Sequence, residues 1–266
     1  MNSIRVLLIG DIVGAPGREV VIKLLPGIVS DYDIDFTIAN AENAAAGFGL
    51  TQSIALELLG CGINILTSGN HIWDKKNIVS FIAKDQRLLR PANFPQEIPG
   101  TGSAVIADGS SARIGVLNLS GRVFMESLDC PFKAALRELE IMRQETAVIV
   151  VDMHAEATSE KIAMGWFLDG KVSAVLGTHT HVQTADEKIL PLGTAYITDV
   201  GMTGSFDSVI GIKKEQALRR FLTQMHVPFT PADHDKQLQG AVIEIDKDSG
   251  RSLQIQRVQR TLAAHS

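Results

Sequence analysis

At 266 residues, with 45% apolar and 21% charged side chains, the chain has the balance of a folded globular protein, which excludes disordered, collagen-like and coiled-coil architectures. A net charge of −5 leaves no basic footprint for duplex nucleic acid, and no apolar run approaches the roughly 18 residues that a membrane span needs. The two cysteines, Cys61 and Cys130, lie far apart without CxxC spacing, so they read as reduced thiols of a cytoplasmic protein rather than a disulfide framework or a thiolate metal site.

In chain order, the apolar run within residues 5–12 is too short for a signal-peptide core and predicts a buried strand, followed by another at 36–40. A helix is predicted over 52–59, with Ile54, Leu58 and Leu59 on one face, and then a strand at 63–67. Residues 103–107 and 113–119 predict a hairpin turned by Asp108-Gly109-Ser110-Ser111. A helix over 132–142 places Phe132, Leu136, Leu139 and Met142 on one stripe, opposite Lys133, Arg137, Glu138 and Glu140. There follow a strand at 147–153, a helix at 159–167 with Thr158 or Ser159 as N-cap, strands at 172–176 and 195–198, and a helix at 214–225. A second hairpin, 241–245 with 253–258, closes the order. Strands alternating with helices, plus two hairpins, predict an α/β fold in one domain spanning residues 1–266, with a mixed sheet or two packed sheets and helices outside. The proline-containing stretches 91–99 and 228–231 read as surface loops.

Polar residues end the apolar runs. Asp11 follows the first, Asn40-Ala41-Glu42-Asn43 the second and Ser68-Gly69-Asn70-His71 the third; Asp152-Met153-His154 and Thr178-His179-Thr180-His181 end two later ones. Carboxyl ends of strands in α/β sheets are where side chains from neighbouring strands meet a ligand. Four of the seven histidines, His71, His154, His179 and His181, lie at these ends. Taken singly, Asp11 could cap a helix, Asn70 hold a turn and His154 be an interior histidine. The spacing of His179 and His181, read as extended chain, points both rings to one side, and two imidazoles aimed at one point need a cation between them. Asp11, Glu42, Asn43, Asn70, His154, His179 and His181 thus form seven candidate ligands. Oxygen and imidazole without thiolate suit manganese, iron, cobalt or zinc. Seven ligands exceed the needs of one ion with open positions and suit two ions about 3.5–4 Å apart, with Glu42 as the bridge. The glycine-rich segment 10–17 fits neither the GxGxxG fingerprint nor a P-loop, and there is no GxSxG or HExxH motif.

These blocks, in this order, resemble the calcineurin-like metallophosphoesterases, and most closely the YmdB-type branch of bacterial phosphodiesterases. The branch is suggested by Gly10-Asp11-Ile12-Val13-Gly14, Asn40-Ala41-Glu42-Asn43, Gly69-Asn70-His71-Ile72-Trp73, the run from His154 to Lys161, and Thr198-Asp199-Val200-Gly201-Met202. The wider superfamily has Asp-x-His in its first motif, where this chain has Val13, and a bridging aspartate where it has Glu42; the YmdB-type branch shares both departures. The resemblance implies a four-layer α/β/β/α sandwich of two mixed sheets. It implies Asp11, Glu42, Asn43 and His181 around one ion and Glu42, Asn70, His154 and His179 around the other. Two divalent or mixed-valence transition metals, iron or manganese before zinc or cobalt, and 2′,3′-cyclic nucleotides are the implied cofactors and substrates.

In that setting, two cations lower the pKa of a bridging water and neutralise the phosphate oxygens of a small phosphodiester. His71, beside a ligand, is the expected proton donor to the leaving oxygen. Glu156 and Asp199 are expected to orient imidazoles rather than to bind metal. Lys75, Lys76 and Arg122 read first as solvated charges. A non-catalytic metal-dependent sensor of a phosphorylated ligand and a phosphomonoesterase are the alternatives. Phe48, Trp73 and Phe94 read as exposed loop residues suited to a homo-oligomer interface or a substrate lid.

Overall fold

Ile4, Val6 and Leu8 alternate with Leu7 and Ile9 along β1 (Ser3–Ile9), and the two sets are buried in different apolar clusters. Side chains point alternately from a strand, so β1 is covered on both faces. The computed structural model, which describes residues 2–107 and 113–263, continues through β2 (Asp11–Ile12), α1 (Gly14–Tyr32), β3 (Phe36–Asn40), α2 (Gln52–Gly60) and β4 (Ile65–Thr67). A 3-10 turn (Lys76–Ile78) and α3 (Val79–Ile82) precede the antiparallel pair β5 (Ser103–Ala107) and β6 (Arg113–Ser120). Next come α4 (Pro131–Met142), β7 (Val148–His154), α5 (Thr158–Leu168), β8 (Ala174–Thr178), β9 (Lys188–Ile189), β10 (Ala195–Ile197), β11 (Met202–Ser205), α6 (Lys214–Thr223), β12 (Lys236–Asp246) and β13 (Ser252–Thr261).

Seven strands form one sheet in the order β2-β11-β12-β1-β3-β4, with β13 beside β12, and six form the other in the order β5-β6-β7-β8-β10-β9. Both are mixed. The runs β1-β3-β4 and β6-β7-β8-β10 are parallel, whereas β12 is antiparallel to β1 and β5 to β6. One apolar cluster fills the space between the sheets, with Val6, Ile38 and Ile243 from the first and Val116, Val150 and Leu176 from the second. A second lies between the first sheet and α1 and α2, and a third between the second sheet and α4 and α5. The layers are therefore α/β/β/α, as expected.

Several local expectations change. The helix α1 lacks its usual signals: Val13 at the N-cap offers no side-chain hydrogen bond, and Pro26 lies inside. Tertiary packing makes the helix, through Val20, Val21, Leu25 and Ile28 buried on one face. Gly17 is required there, because a Cβ would fall 2.4 Å from the carbonyl oxygen of Thr203 on β11. On α4 the buried set is Ala134, Ala135, Leu139 and Met142, and Leu136 is 45% exposed; two alanines let the helix sit close to the sheet on a face one position round from the expected stripe. The N-cap of α5 is Ala157, not Thr158 or Ser159. Phe94 is buried and Trp73 packs against the helix-covered core, so neither is an exposed loop residue; Pro91, Ala92 and Asn93 are buried with them. The turn at residues 108–111 lies outside the described residues.

Candidate metal centre

The inter-sheet face changes from apolar to polar at the carboxyl ends of the parallel strands. On β7, Val148 and Val150 face the other sheet, and the period of two continues to Asp152 and His154. On β3 the sequence is Phe36, Ile38, Asn40; on β4 it is Ile65, Thr67; on β8 it is Ala174, Leu176, Thr178. These polar ends meet. Thr178 Oγ1 donates to Asp152 Oδ1 at 2.6 Å, Thr67 Oγ1 to Asp152 Oδ2 at 2.5 Å, and Asn40 Nδ2 lies 3.3 Å from Asp152 Oδ2. Burial, partly offset by His154 and these donors, raises the Asp152 carboxyl to about 6. His154 Nδ1 lies 2.9 Å from Thr178 Oγ1, which sets the ring so that Nε2 points away from the network.

That nitrogen faces 3.1 Å to Glu42 Oε1, 3.1 Å to Asn70 Oδ1 and 3.0 Å to His179 Nδ1. Glu42 sits in the turn after β3 and is fully buried; its Oε1 is also 3.2 Å from Asn43 Nδ2, and its Oε2 accepts the His71 backbone N–H at 3.0 Å. Asn43 Nδ2 is 3.4 Å from His181 Nε2, which is 3.8 Å from Asp11 Oδ1. Asp11 Oδ2 accepts the His179 backbone N–H at 3.1 Å. All seven predicted ligands are thus brought together, in two groups that share Glu42. Gly69 is part of the design, because a Cβ there would fall 2.2 Å from His154 Nε2 and 2.6 Å from Glu42 Oε2.

The imidazole pair arrives by a different route from the one expected. His179 (φ 98°) and His181 (φ 63°) are in left-handed conformations, not on extended chain. Such backbone is strained for residues with a Cβ, and the surroundings hold it. Asp199 supplies the hold: it hydrogen-bonds no imidazole among the described residues, but its Oδ2 accepts from the Thr180 backbone N–H at 3.1 Å, Thr180 Oγ1 at 2.6 Å and Lys161 Nζ at 2.8 Å. His181 Nδ1 is bonded to the Ile210 carbonyl at 2.9 Å, and Glu156 Oε2 lies 3.3 Å from His179 Nε2, the orienting contact expected of Glu156. His71 stands beside the group: its Nδ1 is 2.9 Å from Asp74 Oδ2, and its ring meets Phe48 edge-on at 5.0 Å. Asp74 and Thr67 lie outside the sequence motifs, and the motifs that contain Lys161 and Thr178 give neither a role. For Thr67 and Thr178 the available signal was parity, a hydroxyl where the inward apolar series ends.

The residues fit a cation. Asp11 Oδ1 and Asn43 Oδ1 are buried with no hydrogen-bond partner among the described residues, two oxygen acceptors left over at one place. Donor atoms of Glu42, His154 and His179 lie within 4.8 Å of one another. The electrostatics agree. Burial raises the Asp11 carboxyl, against the pull of His181 and His154. Burial also opposes charge on Glu42 and His154, but their mutual attraction wins, lowering Glu42 to about 2 and raising His154 to about 9. Burial, and then the charge of His154, lowers His179 to about 3, so it presents a neutral nitrogen.

Residues 7–258 match the model of the family described as YmdB-like protein. The chain belongs to the YmdB-like family. This YmdB-like chain is 48% identical over 254 residues to a 2′,3′-cyclic-nucleotide 2′-phosphodiesterase of Bacillus subtilis (strain 168), covering 96% of each chain. A protein of Thermus thermophilus called hypothetical, 40% identical, superposes with a TM-score of 0.91 over 97% of this chain and 99% of the other. A Mycoplasma pneumoniae protein described as a novel phosphatase, 36% identical, also superposes with a TM-score of 0.91, over 98% of this chain and 94% of its own.

Proposed function

We propose that the chain is a binuclear metal-dependent phosphodiesterase that opens 2′,3′-cyclic nucleotides to nucleoside 3′-phosphates. In this reading Asp11, Glu42, Asn43 and His181 hold one transition metal ion, and Glu42, Asn70, His154 and His179 hold the other. The mixed oxygen and imidazole donors without sulfur suit manganese, iron, cobalt or zinc, and the family resemblance puts iron or manganese first. The observation that carries the reading is the position of Glu42, whose Oε1 lies 3.2 Å from Asn43 Nδ2 in one group and 3.1 Å from His154 Nε2 in the other. The identity to the Bacillus subtilis enzyme across nearly the whole chain supports the substrate class. Cys61 and Cys130, both free, are in keeping with a reducing cytoplasm.

When bound, such cations withdraw charge from the phosphate oxygens and acidify the attacking water. The chain's own groups do the rest. The Thr178–Asp152 network holds the His154 ring, Asp199 holds the backbone that carries His179 and His181, and His71 delivers a proton. Water adds its oxygen to phosphorus and loses a proton to solvent, the P–O2′ bond breaks, and the 2′ oxygen leaves with the proton from His71, which then regains one from solvent. The Asp74 contact at Nδ1 fixes the His71 ring and leaves Nε2 for that transfer.

The test is steady-state hydrolysis of 2′,3′-cyclic AMP and bis-p-nitrophenyl phosphate with added manganese, alongside elemental analysis of protein purified without chelator. Two ions per chain are expected, with a loss of more than about 100-fold in kcat/KM for Asp11→Asn and Glu42→Gln. Absence of metal-dependent turnover in the wild type sinks the proposal.

A further inference from the structure

The candidate centre opens into a cavity of about 450 Å³. Its floor is polar, formed by Glu42, Asn43, His71, His179 and His181. An apolar part of the lining, its wall, comes from the excursion between β11 and β12, through Ile210, Ile212, Phe221 and Phe229, with Arg220 alongside. The size lies within the range of sites for small organic ligands, about 300–1,000 Å³. A bare phosphate group would use only the floor.

Of the exposed apolar residues on and just after α6 (Leu218, Phe221, Leu222 and Met225), Phe221 is the one that lines the cavity. The helix α6 buries only Ala217, and Phe221 is 70% exposed while still lining the cavity. An aromatic ring displayed beside a polar centre is a surface for a ligand with an apolar face. The wall is also braced to the floor. Lys213 N–H donates to the Thr230 carbonyl at 3.1 Å and Ala232 N–H to the Gly211 carbonyl at 2.9 Å, which ties the two arms of the excursion together. The Ile210 carbonyl then bonds His181 Nδ1 at 2.9 Å, so the ring of a candidate ligand and the apolar wall share one anchor.

We propose that this wall is the nucleoside subsite: Phe221 receives the flat face of the base and Arg220 the polar edge, while the cyclic phosphate lies over the floor. This rests on the phosphodiesterase reading above and assigns selectivity within it. Aromatic rings stack on any nucleobase, and a guanidinium adds planar donors, so the subsite selects a base-bearing cyclic phosphate without choosing strongly among bases.

The experiment compares 2′,3′-cyclic AMP with glycerol 1,2-cyclic phosphate, which has the same five-membered diester and no base, on the manganese-loaded wild type, Phe221→Ala and Phe221→Trp. The wild type is expected to favour the nucleotide in kcat/KM, and Phe221→Ala to reduce that preference about tenfold, mostly through KM, with Phe221→Trp retaining it. Equilibrium dialysis of adenosine 3′-phosphate against the metal-free proteins is expected to give the same order of affinities. An equal loss on both substrates, no loss on either, or a wild type without preference overturns the subsite. Turnover of the glycerol ester alone also overturns it and leaves the phosphodiesterase reading standing, whereas turnover of neither overturns both.

Discussion

Two fully buried carboxylates, Asp11 and Glu42, face imidazoles rather than lysine or arginine among the described residues. This choice matters for metal loading. An imidazole can give up its proton and bind a cation, so the charge that balances the carboxylates is replaceable. His154, raised to about 9 by Glu42 and Asp11 against the effect of burial, is an imidazolium at pH 7.5 in the metal-free chain. Loading with manganese at that pH is therefore expected to release about one proton from His154, measured by titration calorimetry in buffers of different ionisation enthalpy. The same shift has a stability consequence of definite sign. The contribution of His154 to the metal-free fold is complete below its unshifted value of 6.5 and is lost as pH rises through about 9. His71 belongs to a different class, outside the two groups and tied to Asp74. His71→Ala is expected to keep both metal ions in elemental analysis while kcat falls by about 10²–10⁴-fold. Loss of metal with unchanged activity per ion would place His71 among the ligands instead.

At the scale of elements, the loop after β8 carries two ligand candidates on strained backbone, and α5 offsets that strain through a buried ion pair. Lys161 Nζ on α5 lies 2.8 Å from Asp199 Oδ2, both side chains almost wholly buried, and Asp199 in turn holds Thr180 between the two histidines. Removing one partner of such a pair leaves an uncompensated charge in the interior, at a cost of about 3–5 kcal/mol. Lys161→Met is expected to lose that amount in denaturant unfolding of the metal-free protein. Lys161→Met combined with Asp199→Asn is expected to lose less than the sum of the two single variants, because the stranded charge is gone. Strict additivity would mean that the pair does not act as a unit.

For the whole molecule, the candidate centre draws its residues from both sheets. Asp11, Glu42, Asn43 and Asn70 follow strands of the first sheet, and His154, His179 and His181 end or follow strands of the second. A cation held by both groups cross-links layers that otherwise meet through the apolar cluster between them. Ligands that bind only the folded state stabilise it by mass action, about 2.7 kcal/mol per site at a hundredfold excess over Kd. Manganese in such excess is expected to raise Tm by about 5–10 °C over the chelator-treated protein in scanning calorimetry. An unchanged Tm would mean that no ion bridges the sheets.

The alternating strands and helices, and the identity of the polar residues that end the strands, could be read from the chain alone, because burial on both faces demands continuous Val, Ile and Leu, and a polar ending breaks that run visibly. The gathering of Asp11, Glu42, Asn43, Asn70, His154, His179 and His181 at those endings was legible for this reason. The helix α1 was not, since its start is a valine followed by glycine and proline, and only packing against β11 and β12 makes it form. Nor was the role of Asp152, Asp199 or Lys161, each of which acts on a residue distant in sequence and is recognisable only by what lies within hydrogen-bond reach. The left-handed turns at His179 and His181 were decided in the same way: local preference favours extended chain there, and the contacts of Asp199 and Ile210 override it.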